Sequence, residues 1–229
     1  MRIGFNVLLL TVLAGWSIQA DTLEGTLNRL DQAGSQFKGM TAKFTYLKFT
    51  AVVSDKSTSE GTMKIKKIKR PQPPDDILGL LDFSEPDKKT VALDPKTVQI
   101  YLPKLNKVQI IDLGKHKGLI EQFFLFGFGT SKSDLLAAYD VSYGGAETIN
   151  GEPTTHLVLI SKNPEVRRQL SKFQLWISDK TGLPVRQEFD EPSGDYNVFT
   201  YRDMKMQNLP DSALAATNIP KNAKRENLK

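Results

Sequence analysis

The chain has 229 residues, of which 39% are hydrophobic and 25% charged, with a formal net charge of +5 and no cysteine. That length can support one sizeable domain with a real core. The lack of thiols rules out disulfides and leaves carboxylates to build any transition-metal site, and the mild positive charge lacks the dense basic footprint of a nucleic-acid binder.

In chain order, residues 1–20 read as a cleavable export signal. Arg2 supplies the positive start, an apolar stretch runs over 3–16, and Ser17-Ile18-Gln19-Ala20 ends on a small residue before Asp21. The apolar core over 7–15 falls short of the roughly 20 residues of a membrane span. The expected mature chain, 21–229, is a single domain, soluble and exported. With no cysteine behind Ala20, nothing there can carry a lipid.

Leu23, Leu27, Leu30, Ala33 and Phe37 share one helical face, which predicts an amphipathic helix ending near Gly34 or Gly39. From Met40 the period becomes two: Ala42, Phe44 and Tyr46 alternate with Thr41, Lys43 and Thr45. A turn over 54–57 leads to a strand over 61–69. Its apolar phase slips between Ile65 and Ile68, which predicts a bulge near Lys66 or Lys67. Three prolines make 70–76 an irregular loop. Strands are then predicted over 77–83, 89–93, 98–102 and 108–113, with turn signals between them. The rhythm breaks at 119–128, the most apolar part of the mature chain. Ser131, Ser133 and Asp134 cap a second short helix. Strands resume over 139–143, 155–160, 173–178, 185–190 and 196–202, and a polar tail from Asn222 is expected to fray.

Chemistry-bearing constellations are scarce. His116 and His156 lie about forty residues apart with no metal-ligand spacing; His116 reads as a solvated loop residue and His156 as facing out of a strand. Helix capping accounts for Ser131 and Ser133. Gly127-Phe128-Gly129 lacks the strand and the Lys-Ser/Thr pair of a phosphate loop. Asp75-Asp76 and Glu188/Asp190/Glu191 offer too few oxygens for calcium. The basic run from Lys64 to Arg70 reads as a solvated strand face. The expectation is a protein without catalysis, metal or cofactor. What the strands do carry is a one-sided apolar stripe: Phe44, Tyr46, Leu81, Phe83, Ile100, Leu102, Ile110, Leu175, Ile177, Phe189 and Phe199. About ten strands curled around one or two short helices enclose more apolar surface than the helices cover, which predicts a cavity for an apolar ligand. Phe123, Phe124 and Phe126 belong to its lid or plug.

Several motifs then occur in a telling order: the amphipathic helix, Phe44 in a Lys-Phe-Thr setting, Gly61-Thr-Met-Lys-Ile-Lys, and a Lys-Arg-Pro loop ending at Pro71. Asp82-Phe-Ser-Glu-Pro86, Asp94-Pro-Lys-Thr and Val98-Gln-Ile-Tyr-Leu-Pro103 follow. Over roughly 23–208 the chain resembles the LolA-type outer-membrane lipoprotein carriers. The resemblance implies an incompletely closed, strongly curved antiparallel β-barrel, here of about ten to eleven strands, with helices as a lid. It implies a periplasmic monomer that takes lipoprotein acyl chains from an inner-membrane release complex to an outer-membrane acceptor. Phe44, Tyr46, Phe83, Ile100, Leu102, Phe123, Phe124, Phe126, Leu175 and Phe189 would line the cavity, and Arg70 would latch the lid. The family's aromatic pair after Arg-Pro is missing, because 72–76 read Gln-Pro-Pro-Asp-Asp. An alternative on the same fold is a lipid- or peptide-sensing regulatory module that transports nothing.

Overall fold

The structure is a computed structural model that describes residues 22–69, 76–84, 86, 88–113, 127–216 and 219–228. Helix α1 (Leu23–Gln36) starts where Thr22 Oγ1 accepts the Gly25 N–H at 3.0 Å, and it buries Leu27, Leu30, Ala33 and Gly34. This is the apolar stripe of the sequence, with a hydroxyl capping an otherwise orphaned N–H. Two further helices are short: α2 (Lys132–Ala138), capped by Ser131 as predicted, and α3 (Pro164–Gln169), capped by Asn163 with Pro164 at its first turn.

Twelve strands make one sheet: β1 (Gly39–Thr50), β2 (Asp55–Ile68), β3 (Asp76–Phe83), β4 (Lys89–Leu93), β5 (Thr97–Leu102), β6 (Lys107–Asp112), β7 (Tyr139–Ile149), β8 (Glu152–Ser161), β9 (Lys172–Ser178), β10 (Pro184–Asp190), β11 (Tyr196–Met206) and β12 (Lys224–Leu228). Their order is β12-β6-β5-β4-β3-β2-β1-β11-β10-β9-β8-β7, so the sheet is an open meander with β12 and β7 at its two edges. All neighbours are antiparallel except β12, which runs parallel to β6. The sheet curls: residues from β1 to β4 and from β8 to β11 join α1 in one core that includes Leu30, Phe44, Ile65, Leu81, Leu157, Leu175 and Phe189.

The curled sheet grips α1 on both flanks. A Cβ on Gly182, in the β9–β10 turn, would meet the Arg29 carbonyl at 2.5 Å, and one on Gly34 would meet the Thr130 carbonyl at 2.5 Å. Arg29 reaches Asp179 at 3.4 Å, and the Lys132 N–H donates to Asp31 Oδ1 at 2.7 Å while its ammonium pairs with Glu24. The helix is thus fixed by polar ties from its first turn to its middle and by close backbone approach at Arg29 and Gly34.

The fold is the mainly β, unclosed barrel expected, with four corrections of detail. The tail does not fray: Lys224–Leu228 pairs with β6 and makes the sheet mixed and twelve-stranded. Asp55 to Ser57 already belong to β2 rather than to a turn. No bulge interrupts β2, whose register with β3 is unbroken from Gly61↔Phe83 to Ile68↔Asp76. Lys67 turns inward after Met63 and Ile65, where its ammonium donates to the Gly129 carbonyl at 3.0 Å, so the alternation continues with a lysine in an apolar slot. Finally, His156 does lie on the outer face but is covered: its side chain is 12% exposed and stacks on Trp176 with ring centroids 4.3 Å apart.

Candidate functional site

A cavity of about 730 Å³ opens on the concave face, within the size range of about 300–1,000 Å³ usual for ligand sites. Its floor comes from alternate residues of neighbouring strands: Tyr46 of β1, Leu81 and Phe83 of β3, Val91 of β4, Val98 and Ile100 of β5, Ile111 of β6 and Phe199 of β11. The registers explain the convergence. Leu81 lies opposite Val91, Val91 opposite Ile100, and Tyr46 opposite Phe199, so one pleat row after another presents hydrocarbon to the same hollow.

The mouth is built by two connections. Arg168, Gln169 and Leu170, at the end of α3, lie over it. The Arg167 guanidinium donates to the Ser161 carbonyl at 2.7 Å, and the Ser171 N–H to the Asp190 carbonyl at 2.7 Å, which stitches this segment across from β8 to β10. On the other side Glu191, Pro192 and Ser193 come from the β10–β11 turn, closed by Glu191 N–H to the Asp195 carbonyl at 2.8 Å and by Gly194 at φ 88°.

The cavity wall has an aromatic layer with a cation above it. Tyr46 meets Phe83 edge-on at 5.6 Å and Phe199 at 4.7 Å, and the Lys89 ammonium stands 4.4 Å from the Phe83 ring centre and 5.7 Å from that of Tyr46. The Tyr46 hydroxyl donates to Asn197 Oδ1 at 2.6 Å. Burial, together with the nearby Glu191 charge, pushes its pKa up to about 12, so it is a neutral donor at physiological pH. With Lys89, Arg168 and Glu191 at the edge and hydrocarbon inside, the site can hold a long apolar body whose polar end remains at the mouth.

The residues predicted to line a cavity divide into four groups. Tyr46, Phe83 and Ile100 do line it. Phe44, Leu175 and Phe189 are almost wholly buried one layer deeper: Phe44 supports the floor by packing on Phe83 at 4.9 Å and Phe199 at 5.5 Å. Leu102 is half-buried at the end of β5 and outside the lining. Phe123, Phe124, Phe126 and Arg70 lie outside the described residues, while Phe128, next to them, is fully buried against Phe37 and Tyr201. In the stripe, Ile110 belongs to the outer face with Tyr101 and Val108, and Ile111 faces the cavity instead. The Ile110-Ile111 pair gives alternation no way to choose between them. The mouth residues Arg168, Glu191 and Pro192 carry no periodic signal, since connections rather than strands place them.

No protein-family model matches the chain. An uncharacterised protein of Methanocaldococcus jannaschii is 28% identical over 115 residues, 50% of this chain and 32% of that protein, so the match spans about a third of that relative's length. An uncharacterised conserved protein of Thermus thermophilus has a similar structure, with a TM-score of 0.51 and 15% identity, covering 90% of this chain and 98% of the other. At that identity the likeness is one of fold. The structural neighbours include a LolA superfamily protein. It comes from Nitrosomonas europaea, with a TM-score of 0.40 and 15% identity, covering 87% of this chain and all of the other. Among the described residues no helix is long and apolar enough to cross a membrane.

Proposed function

We propose that this protein is a periplasmic carrier that takes the acyl chains of lipoproteins, or of a closely related lipid, into the concave cavity and moves them towards the outer membrane, binding without catalysis. The observation that carries this reading is the cavity itself: about 730 Å³, floored by Leu81, Phe83, Val91, Val98, Ile100 and Phe199, with Lys89 and Arg168 at its mouth. Each methylene moved from water into such a hollow contributes about 0.8 kcal/mol. A few acyl chains therefore suffice for stable binding, while the charged mouth suits a polar headgroup or the first residues of a lipidated polypeptide.

Native mass spectrometry of the protein purified from its own cell envelope tests the reading directly. The expected spectrum contains an acylated protein or a lipid in complex. Ile100→Glu places a carboxylate on the cavity floor, where an unpaired charge in hydrocarbon is strongly disfavoured. It should weaken binding of a fluorescent fatty acid by at least about tenfold. An empty wild-type protein together with undiminished probe binding by Ile100→Glu would overturn the reading.

A further inference from the structure

The hairpin between β1 and β2 ends in a 3₁₀ turn, Ala51–Val53, followed by Ser54 in the left-handed conformation. Val52 and Val53 leave 90% and 67% of their surface in water, and Val52 is the most exposed large hydrophobic side chain among the described residues. The tip is braced. Ser54 N–H donates to the Ala51 carbonyl at 3.1 Å, and Ala51 N–H donates to Asp195 Oδ1 at 2.8 Å, across in the β10–β11 turn. Gly194 of that turn lies so close that a Cβ there would stand 3.3 Å from the Ala51 methyl. Beneath the tip Phe49 stacks on Tyr196 at 4.8 Å, with the Lys56 ammonium 5.7 Å from the Phe49 ring. Two adjacent valines held rigidly in water on a braced turn are surface in want of a partner.

Their position says which partner. The β10–β11 turn that braces the tip also contributes Glu191, Pro192 and Ser193 to the cavity mouth, so tip and mouth share one rim. Lys48 lies two residues beyond Tyr46 and so on the same face of β1; Lys56 flanks the tip on the opposite face, and both are exposed. Arg168 and Lys89 stand at the mouth; against these cations, Asp55 is exposed beside the tip, and half-buried Asp195 and Glu191 lie on the same rim. A small apolar tip collared by lysines, whose alkyl stems can lie along hydrocarbon while their ammoniums meet phosphates, has the chemistry of the bilayer interface.

We propose that the Val52–Val53 tip docks on an anionic lipid bilayer, its valines inserting among the headgroups and its lysines pairing with lipid phosphates, so that the cavity mouth is set against the membrane. The inference is argued from exposure and charge at the tip and deepens the carrier reading, on which it rests, by setting the cavity mouth where acyl chains enter or leave the bilayer.

The chain has no cysteine, so single cysteines can report position. The exported protein carrying Val52→Cys, labelled with an environment-sensitive nitrobenzoxadiazole dye, is mixed with vesicles of phosphatidylethanolamine and phosphatidylglycerol. Lys180→Cys, in the β9–β10 turn at the far end of the sheet, serves as the control. Blue-shifted, several-fold brighter emission is expected at position 52 only, weakened by salt and by pure phosphatidylcholine vesicles. Lys48→Glu and Lys56→Glu should each lower vesicle affinity about fivefold or more, and Val52→Asp/Val53→Asp at least about tenfold, with circular dichroism checking the fold. Equal dye responses at 52 and 180, or unchanged vesicle binding by the double aspartate variant, would overturn the inference. Fatty-acid probe binding in solution separates the two readings. A tip variant that keeps the probe but loses vesicles supports the tip, whereas a wild type that docks through the tip yet takes no probe refutes only the carrier.

Discussion

Phe44 and Gly61 show how closely the cavity floor is fitted. They face each other across β1 and β2, and a Cβ on Gly61 would lie 2.4 Å from Phe44 Cζ and from the Asp82 carbonyl. The missing side chain is where the Phe44 ring lies, and that ring in turn holds Phe83 and Phe199 under the ligand space. Phe44 has no exposed surface, so Phe44→Ala should cost about 3–5 kcal/mol in urea unfolding; a cost under about 1 kcal/mol would mean the floor collapses without harm. On the outer face, burial and the Asp190 charge raise the Glu188 pKa above the ordinary carboxylate value, against the opposing pull of Arg186 and Lys172. The folded chain then holds this proton to higher pH than the unfolded chain does. Its contribution to stability is therefore complete below the ordinary carboxylate pKa and fades as pH rises through the raised value. Glu188→Gln removes that dependence while keeping an oxygen for the Gln174 amide, which donates to Glu188 Oε1 at 3.0 Å. The variant should melt higher than wild type at pH 7, with the gap closing on acidification towards pH 4; a lower melting point at pH 7 contradicts this.

Among the elements, β12 was the least legible. Lys-Arg-Glu-Asn-Leu has no apolar alternation, and all five residues are exposed. What places it is backbone pairing with β6, a Lys107–Glu226 ion pair and an Arg225 bond to Gln99 at 3.3 Å. None of these leaves a mark in hydropathy. By contrast β1 and β10 were plain, because each buries one face against the core and writes that into every second residue; β5 and β9 alternate in sequence as well, although both bury residues of each face. The same logic explains the site: Tyr46, Phe83 and Ile100 were legible from alternation, but alternation cannot separate a residue that lines a hollow from one packed a layer deeper, such as Phe189. The exposed character of β12 has a measurable outcome. Deleting 224–228 should change stability little but bare the β6 edge, and size-exclusion chromatography should show new self-association. A variant that stays monodisperse would show that β6 is protected without it.

At the scale of the molecule the sheet has twelve strands yet two ends, β12 and β7, that are not hydrogen-bonded to each other. In a closed barrel, strand number and stagger together set the girth, and widening it means breaking a ladder. Here the seam between the ends is free of that constraint. The sheet can therefore relax outward or draw in by a small change of twist shared over eleven strand pairs, with each ladder kept whole. The bore of the hollow is therefore not set by strand number and stagger, as that of a closed barrel is.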